Sequence, residues 1–169
     1  MKIIEISEIQ AYMDFRGQKW PNARDALAFA YQELGEVIEA TAGHGSVPCE
    51  VGDLVQMLTI AYHGAGLGEW IEFPDKVEQI GGTPSGLAFA ATLLQIVVSM
   101  GHINDGLMRQ EAGWVRNTDR TVPLEKHFST LAEEIAIIGA THVASSYPDS
   151  DNPIRAALLT KWKGKGFAL

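Results

Sequence analysis

Two helical segments joined by a short glycine turn constrain the fold of this chain more than any other feature. A start signal at 20–22 (Trp-Pro-Asn) opens the first segment, because proline suits the first turn of a helix, and Gly43-His44-Gly45 ends it. Ser46-Val47-Pro48 opens the second segment, which ends near a glycine cluster at 64–68. The short connection predicts a helical hairpin over residues 21–66.

The second half of the chain echoes the first half. The tetrapeptide Leu-Ala-Phe-Ala at residues 27–30 recurs at 87–90, an offset of 60 residues. We therefore interpret residues 84–147 as a degenerate second hairpin, with an unrelated helical extension as the alternative. The alternation typical of strands is almost absent, so the chain is predicted to be one all-α domain, 1–169, with a four-helix core. The other predicted segments are short flanking helices at 6–15 and 152–162, helices of the second hairpin at 84–103 and 124–146, a polar stretch at 105–120, and a short helical turn with a loop at 69–83.

Composition excludes several classes of protein. The 21 acidic residues outnumber the 13 basic ones and give a net charge of −8, which argues against a nucleic-acid polymer as partner, because such binding uses a broad basic surface. The single cysteine, Cys49, excludes an internal disulfide framework and a cysteine-rich zinc site. The longest apolar stretch, 87–100, is too short to span a membrane, and the N-terminus lacks an export signal. A cytoplasmic protein with no membrane partner is expected.

Four acidic residues of the first hairpin, Glu33, Glu36, Glu50 and Asp53, lie beside apolar stripes rather than opposite them. Each pair is spaced by three, so its members share one helix face. Their apolar neighbours on the two helical wheels are Ala26, Phe29, Val37, Ala40, Leu54, Met57 and Ala61. The polar face of the second helix is predicted to lie elsewhere, at Gly52, Gln56, Thr59 and His63.

Packing the two stripes together would bring the four carboxylates into one group. Burying uncompensated charges costs several kcal/mol each and raises the pKa of the carboxyls, so a divalent cation is the expected solution. Hard oxygen ligands favour Mg²⁺ or Mn²⁺. A solvated acidic face is the alternative. A di-iron bundle is disfavoured, because no glutamate in the chain is followed by histidine three residues later.

The segments FAYQELGEVIEA and EVGDLVQMLTIAYHGAGLG resemble the MazG-type nucleotide pyrophosphohydrolases over about residues 20–68. The shared pattern is ExxE, a spacer, and ExxD. The resemblance implies an all-α homodimer that hydrolyses a nucleoside triphosphate (NTP or dNTP) to the monophosphate and pyrophosphate and removes noncanonical nucleotides or dUTP. It also implies Mg²⁺ as cofactor, with Mn²⁺ as a substitute. The implied metal-binding and catalytic residues are Glu33, Glu36, Glu50 and Asp53.

The second half departs from that pattern. Leu93, Ile96 and Leu131 stand where the echo would place acids, and only Glu134 is retained. One working acidic site per chain is therefore predicted. The alternatives are a catalytically silent protein that binds nucleotide or metal through the same acids, and a structural helical protein.

Several residues are candidates for substrate contact. The polar stretch contains arginines suited to phosphate oxygens, and Trp20 precedes the first acidic helix, where it can stack on a base or simply pack. The predicted substrate-binding residues are Trp20, Arg109, Arg116, Asn117 and Arg120. A solvated loop is the alternative for the arginines. The basic tail at 161–165, with Lys161, Lys163 and Lys165, is predicted to be a solvated terminus rather than a lid over phosphates.

Overall fold

The computed structural model describes residues 1–75, 86–112 and 122–169, and within these ranges the chain is all-α, as predicted. Six α-helices follow one another, and a π-helical turn (Gly139–Val143) and a 3₁₀ turn (Ala144–Ser146) extend the fifth. The helices are α1 (Ile6–Phe15), α2 (Ala23–Thr41), α3 (Val47–Gly64), α4 (Gly86–Ala112), α5 (Leu124–Ile138) and α6 (Pro153–Gly164). The described residues contribute one isolated β-bridge, between Lys2 and Glu72, and no longer strand.

Local signals explain where three of these six helices begin. The side chain of Asn22 accepts a hydrogen bond from the Asp25 N–H at 2.9 Å and so caps α2. Asn152 caps α6 in the same way through the Arg155 N–H. Proline occupies the first turn of α3. The two predicted start signals, at 20–22 and 46–48, therefore lie at the starts of α2 and α3, and Pro21 itself precedes the cap residue Asn22.

The structure differs from the prediction in two connecting segments, at 69–83 and 105–120. Residues 69–75 are described and are not helical, and the rest of the predicted turn and loop lies outside the described residues. The predicted polar stretch begins inside α4, which continues to Ala112. Charged pairs explain the longer helix, because Arg109 pairs with Asp105 one turn away and Glu111 pairs with Arg24 of α2 at 3.1 Å.

Helix α3 lies at the centre of the fold, packed against α2 on one side and α6 on the other, while α4 packs chiefly on α5. The predicted polar face of α3 is wrong, because Gly52, Gln56 and Thr59 are buried. Helix α6 covers this face. The Gln56 side chain accepts a hydrogen bond from the Trp162 indole N–H at 3.2 Å, and the Thr59 hydroxyl donates to the Val55 carbonyl at 2.9 Å. These hydrogen bonds offset the free-energy cost of burying polar side chains.

Helix α2 buries a stripe that is displaced from the one its wheel predicted. Ala26 and Val37 are fully buried, as expected, but Phe29 is 50% exposed. The buried stripe instead includes Leu27, Ala30 and Leu34. The stripe is displaced because α2 packs on both α3 and α4, and the contact with α4 rotates the buried side away from Phe29.

The positions that echo the acids in the second helical pair belong to the apolar core. Ile96 and Leu131 are buried, and Leu93 is partly buried against the core. Glu134 is half-buried, and burial raises the pKa of its carboxyl. A comparable carboxylate group therefore does not form among the described residues of this pair.

Candidate metal centre

Three carboxylates meet where the middle of α2 passes the first turns of α3. Glu33, Glu50 and Asp53 each offer one oxygen, and these oxygens lie within 4.8 Å of one another. All three side chains are half-buried. The antiparallel hairpin brings them together, because the short turn at 42–46 returns the start of α3 to the level of Glu33. Among the described residues this is the one group of acidic, histidine or cysteine side chains that could hold a metal ion.

Glu36 lies beside this group rather than within it. Its Oε1 accepts a hydrogen bond from the Gln32 side-chain amide at 3.1 Å, and the residue is half-buried. Its charge still acts on the group, since it contributes to raising the pKa of both Glu33 and Asp53. The structure therefore brings together three of the four predicted ligands and leaves the fourth one turn away.

The Glu33 carboxyl has the most perturbed protonation in the group. Burial, followed by the charges of Asp53 and Glu36, raises its pKa to about 7. Its Oε2 is buried and has no hydrogen-bond partner in the described part of the chain. A buried oxygen without a partner is costly, and a bound cation would supply the missing contact.

Lys161 of α6 completes the group, a position that the sequence pattern did not predict for it. Its ammonium forms an ion pair with Asp53 and lies 3.4 Å from Glu50 Oε2. The pKa of the Asp53 carboxyl is raised, chiefly by burial, and the Lys161 ammonium and its hydrogen bond oppose that rise. The prediction of a solvated tail is wrong for Lys161, whose side chain is 21% exposed, while Lys163 and Lys165 are exposed.

A helical period in α6 could have located Lys161. Ile154, Ala157 and Leu158 are buried, and Lys161 follows them at the next position of the same stripe, beside the buried Trp162. A lysine on a buried stripe needs a charged partner. The chain offers such a partner in the acids of α3.

Trp20 and Arg109, the two predicted substrate residues that the structure describes, do not join this group. Trp20 is half-buried and packs against the hydrophobic core, as in the packing alternative. Arg109 pairs with Asp105 of its own helix. Arg116, Asn117 and Arg120 lie outside the described residues.

A separate groove of about 400 Å³ lies between the start of α2 and the end of α4. Tyr31, Asn104 and the Arg24–Glu111 pair contribute to its lining. Tyr31 precedes Glu33 by two residues, which places the two side chains on nearly opposite sides of α2. The groove is therefore separate from the carboxylate group.

The donor set fits a hard divalent cation. Three carboxylates on two rigid helices provide oxygen ligands, and the unpartnered oxygen of Glu33 points to a missing contact. Cys49 and the histidines are not part of the group. These features make the site a candidate metal centre without identifying the ion.

Comparisons with protein-family models, curated proteins and solved structures found no match to this chain. Over the residues that the structure describes, no helix combines the length and the hydropathy needed to cross a lipid bilayer.

Proposed function

We propose that this chain is a Mg²⁺-dependent nucleotide pyrophosphohydrolase, which converts a nucleoside triphosphate (NTP or dNTP) and water into the monophosphate and pyrophosphate. The observation that supports this function most strongly is the meeting of Glu33, Glu50 and Asp53 in the hairpin with the ExxE and ExxD spacing. Mn²⁺ is expected to replace Mg²⁺, since both prefer oxygen ligands. Removal of noncanonical nucleotides or dUTP is the proposed role.

The three acids of the group and the neighbouring Glu36 have separate roles in this proposal. Glu33, Glu50 and Asp53 hold the cation, which when bound neutralises the phosphate oxygens of the substrate. Glu36, one turn along α2, accepts the proton of the attacking water, because it lies beside the ligands without being one of them. The bond from water to the α-phosphorus forms, the bond from that phosphorus to the bridging oxygen breaks, and pyrophosphate leaves.

Pyrophosphate release tests this function directly. A panel of canonical and modified NTPs and dNTPs with Mg²⁺ should include at least one substrate that the wild-type chain hydrolyses. Loss of a general base costs on the order of a hundredfold or more in rate, so Glu36→Gln should lose most of the release. Glu39→Gln, which changes an exposed glutamate of the same helix, should retain it.

The opposite result has a defined meaning. Folded protein that binds Mg²⁺ but releases no pyrophosphate from any substrate would contradict the enzyme. That outcome would favour the catalytically silent nucleotide- or metal-binding protein. The observation that supports this alternative is the Lys161 ammonium, which already pairs with Asp53.

A homodimer is the proposed assembly, formed through the exposed face of α4. Leu94 is 63% exposed, Val97 and Val98 are more than 40% exposed, and the helix contains no acidic or basic residue before Asp105 other than His102. Two chains of net charge −8 can approach most closely through such an uncharged apolar face.

Light scattering coupled to size exclusion tests the dimer. The wild-type chain should have twice its mass of 18.4 kDa, and Val98→Glu should have the single-chain mass, because it buries a charge on both sides of a symmetric interface. The control Gln10→Glu adds the same charge on the exposed face of α1 and should remain dimeric. A wild-type chain of 18.4 kDa would exclude this assembly.

A further inference from the structure

Lys161 occupies a cation position within the carboxylate group. Its ammonium contacts two acids of α3, and the side chains of Lys161, Glu50 and Asp53 are about four-fifths buried. Three ionised carboxylates with one ammonium leave a net charge of −2. The lysine therefore offsets part of the repulsion between the carboxylates that the hairpin brings together.

Lys161 pairs with two of the three acids and leaves Glu33 without an ion pair among the described residues. An ammonium can donate three hydrogen bonds, but Lys161 reaches only Glu50 and Asp53, and Glu33 Oε2 remains buried without a hydrogen-bond partner among the described residues. A divalent cation accepts six or more oxygen ligands and so can recruit all three acids. The lysine is thus a weaker occupant of the group than a divalent cation.

The helix that bears Lys161 is held firmly against α3. Leu158 packs on Gly52 so closely that a Cβ at that glycine would lie 3.2 Å from the Leu158 Cβ. The Trp162 ring stacks on Tyr12 with centroids 4.5 Å apart. The backbone of α6 is therefore fixed, whereas the four-carbon stem of a lysine is flexible and lets the ammonium withdraw while the helix stays in place.

We infer that Lys161 is a built-in counter-ion of the carboxylate group, which a divalent cation must displace before it can bind. The lysine holds the acids together in the metal-free protein and raises the cation concentration that loading requires. This inference rests on the proposed function only in that the three acids bind a metal. It assigns to Lys161 the control of metal affinity at that site.

Calorimetric titration with Mn²⁺ alone tests the inference on three proteins: wild type, Lys161→Met and Lys163→Met. Lys161→Met should bind Mn²⁺ at least tenfold more tightly than wild type, because coupling between close charges commonly exceeds a factor of ten in affinity. Lys163→Met removes the same charge from an exposed position of α6 and should bind within about twofold of wild type, since solvent and salt screen its charge.

The outcomes separate the inference from the proposed function. Wild-type binding that Lys161→Met leaves unchanged or weakens would overturn the counter-ion alone. Absence of Mn²⁺ binding in all three folded proteins would overturn the metal centre together with the counter-ion. Binding by Lys161→Met but not by wild type would support the counter-ion in its strongest form.

Amine labelling of the wild-type chain gives a second test that needs no variant. An acylating reagent followed by peptide mass spectrometry should label Lys163 equally with and without Mg²⁺. Lys161 should be labelled slowly in the metal-free protein and several-fold faster with saturating Mg²⁺, because the displaced ammonium leaves its ion pairs. Labelling of Lys161 that Mg²⁺ does not change would contradict displacement.

Discussion

Asp53→Asn should weaken Mn²⁺ binding by about a hundredfold or more and remove pyrophosphate release with it. Asp53 meets Glu33 and Glu50 and forms the closer of the two ion pairs of Lys161, so its change removes a charge from the centre of the group. A neutral amide is a poor ligand for a hard cation. Substitutions next to metal ligands already cost about ten- to a hundredfold in affinity, and loss of a ligand itself should cost at least the upper figure.

Calorimetry and the pyrophosphate assay measure this effect against a charge-matched control. Asp149→Asn removes one negative charge from an exposed loop position and should behave as wild type in both assays. Unfolding curves establish that the Asp53 variant is folded. If folded Asp53→Asn binds Mn²⁺ with wild-type affinity, the metal does not bind at this group of carboxylates.

Glu33→Gln should raise the stability of the metal-free protein at pH 8 by about 1–2 kcal/mol, although it should remove metal binding. The pKa of Glu33 is about 7 in the folded chain against 4.5 as its ordinary value, so the ionised form is disfavoured by folding. Each unit of such a difference is worth about 1.4 kcal/mol, and the partial exposure of the side chain reduces the total. Glutamine has no charge to bury.

The pH dependence of this effect has a defined sign. At low pH, where Glu33 is protonated in both the folded and the unfolded chain, its carboxyl has no cost. As pH rises from about 4.5 to about 7, the unfolded chain ionises first, so the wild-type protein loses stability across that window and stays lower above it. The advantage of Glu33→Gln should therefore be absent near pH 4 and complete at pH 8.

Urea unfolding in EDTA at the two pH values measures the difference. Glu39→Gln, an exposed change on the same helix, should alter the free energy of unfolding by less than about 0.5 kcal/mol at either pH. Added Mg²⁺ should stabilise the wild type but not Glu33→Gln, because only the complete group binds it. A Glu33 variant that is less stable than wild type at pH 8 would exclude this account.

The sequence predicted the parts of the fold that short-range signals determine. Asn22 and the proline of α3 fix helix starts locally, so both helices of the first hairpin follow from the residues around their ends. The three-residue spacing of the acids also places each pair on one face. Together these signals predicted the meeting of Glu33 with Glu50 and Asp53, since the hairpin requires no knowledge of the rest of the chain.

Features that depend on distant packing could not be predicted in the same way. Lys161 is 108 positions from Asp53 in the chain, and its role depends on how α6 lies across α3. The same contact reverses the interpretation of Gln56, which looks like a surface residue until Trp162 provides its partner. Glu36 shows how coarse a helical-wheel prediction is. It shares a helix face with Glu33, but it lies one turn further along α2 and outside the carboxylate group.

The close contact at Gly52 has a consequence for tuning this protein. The glycine sets the spacing between α3 and α6, and a methyl group there would meet both Cβ and backbone atoms of Leu158 at 3.2–3.4 Å. The size of the residue at position 52 therefore sets the distance between α3 and α6, and with it the distance over which the Lys161 side chain must extend to contact the acids. If the three acids bind a cation as proposed, a larger residue at position 52 should change its affinity without altering any of the acids themselves.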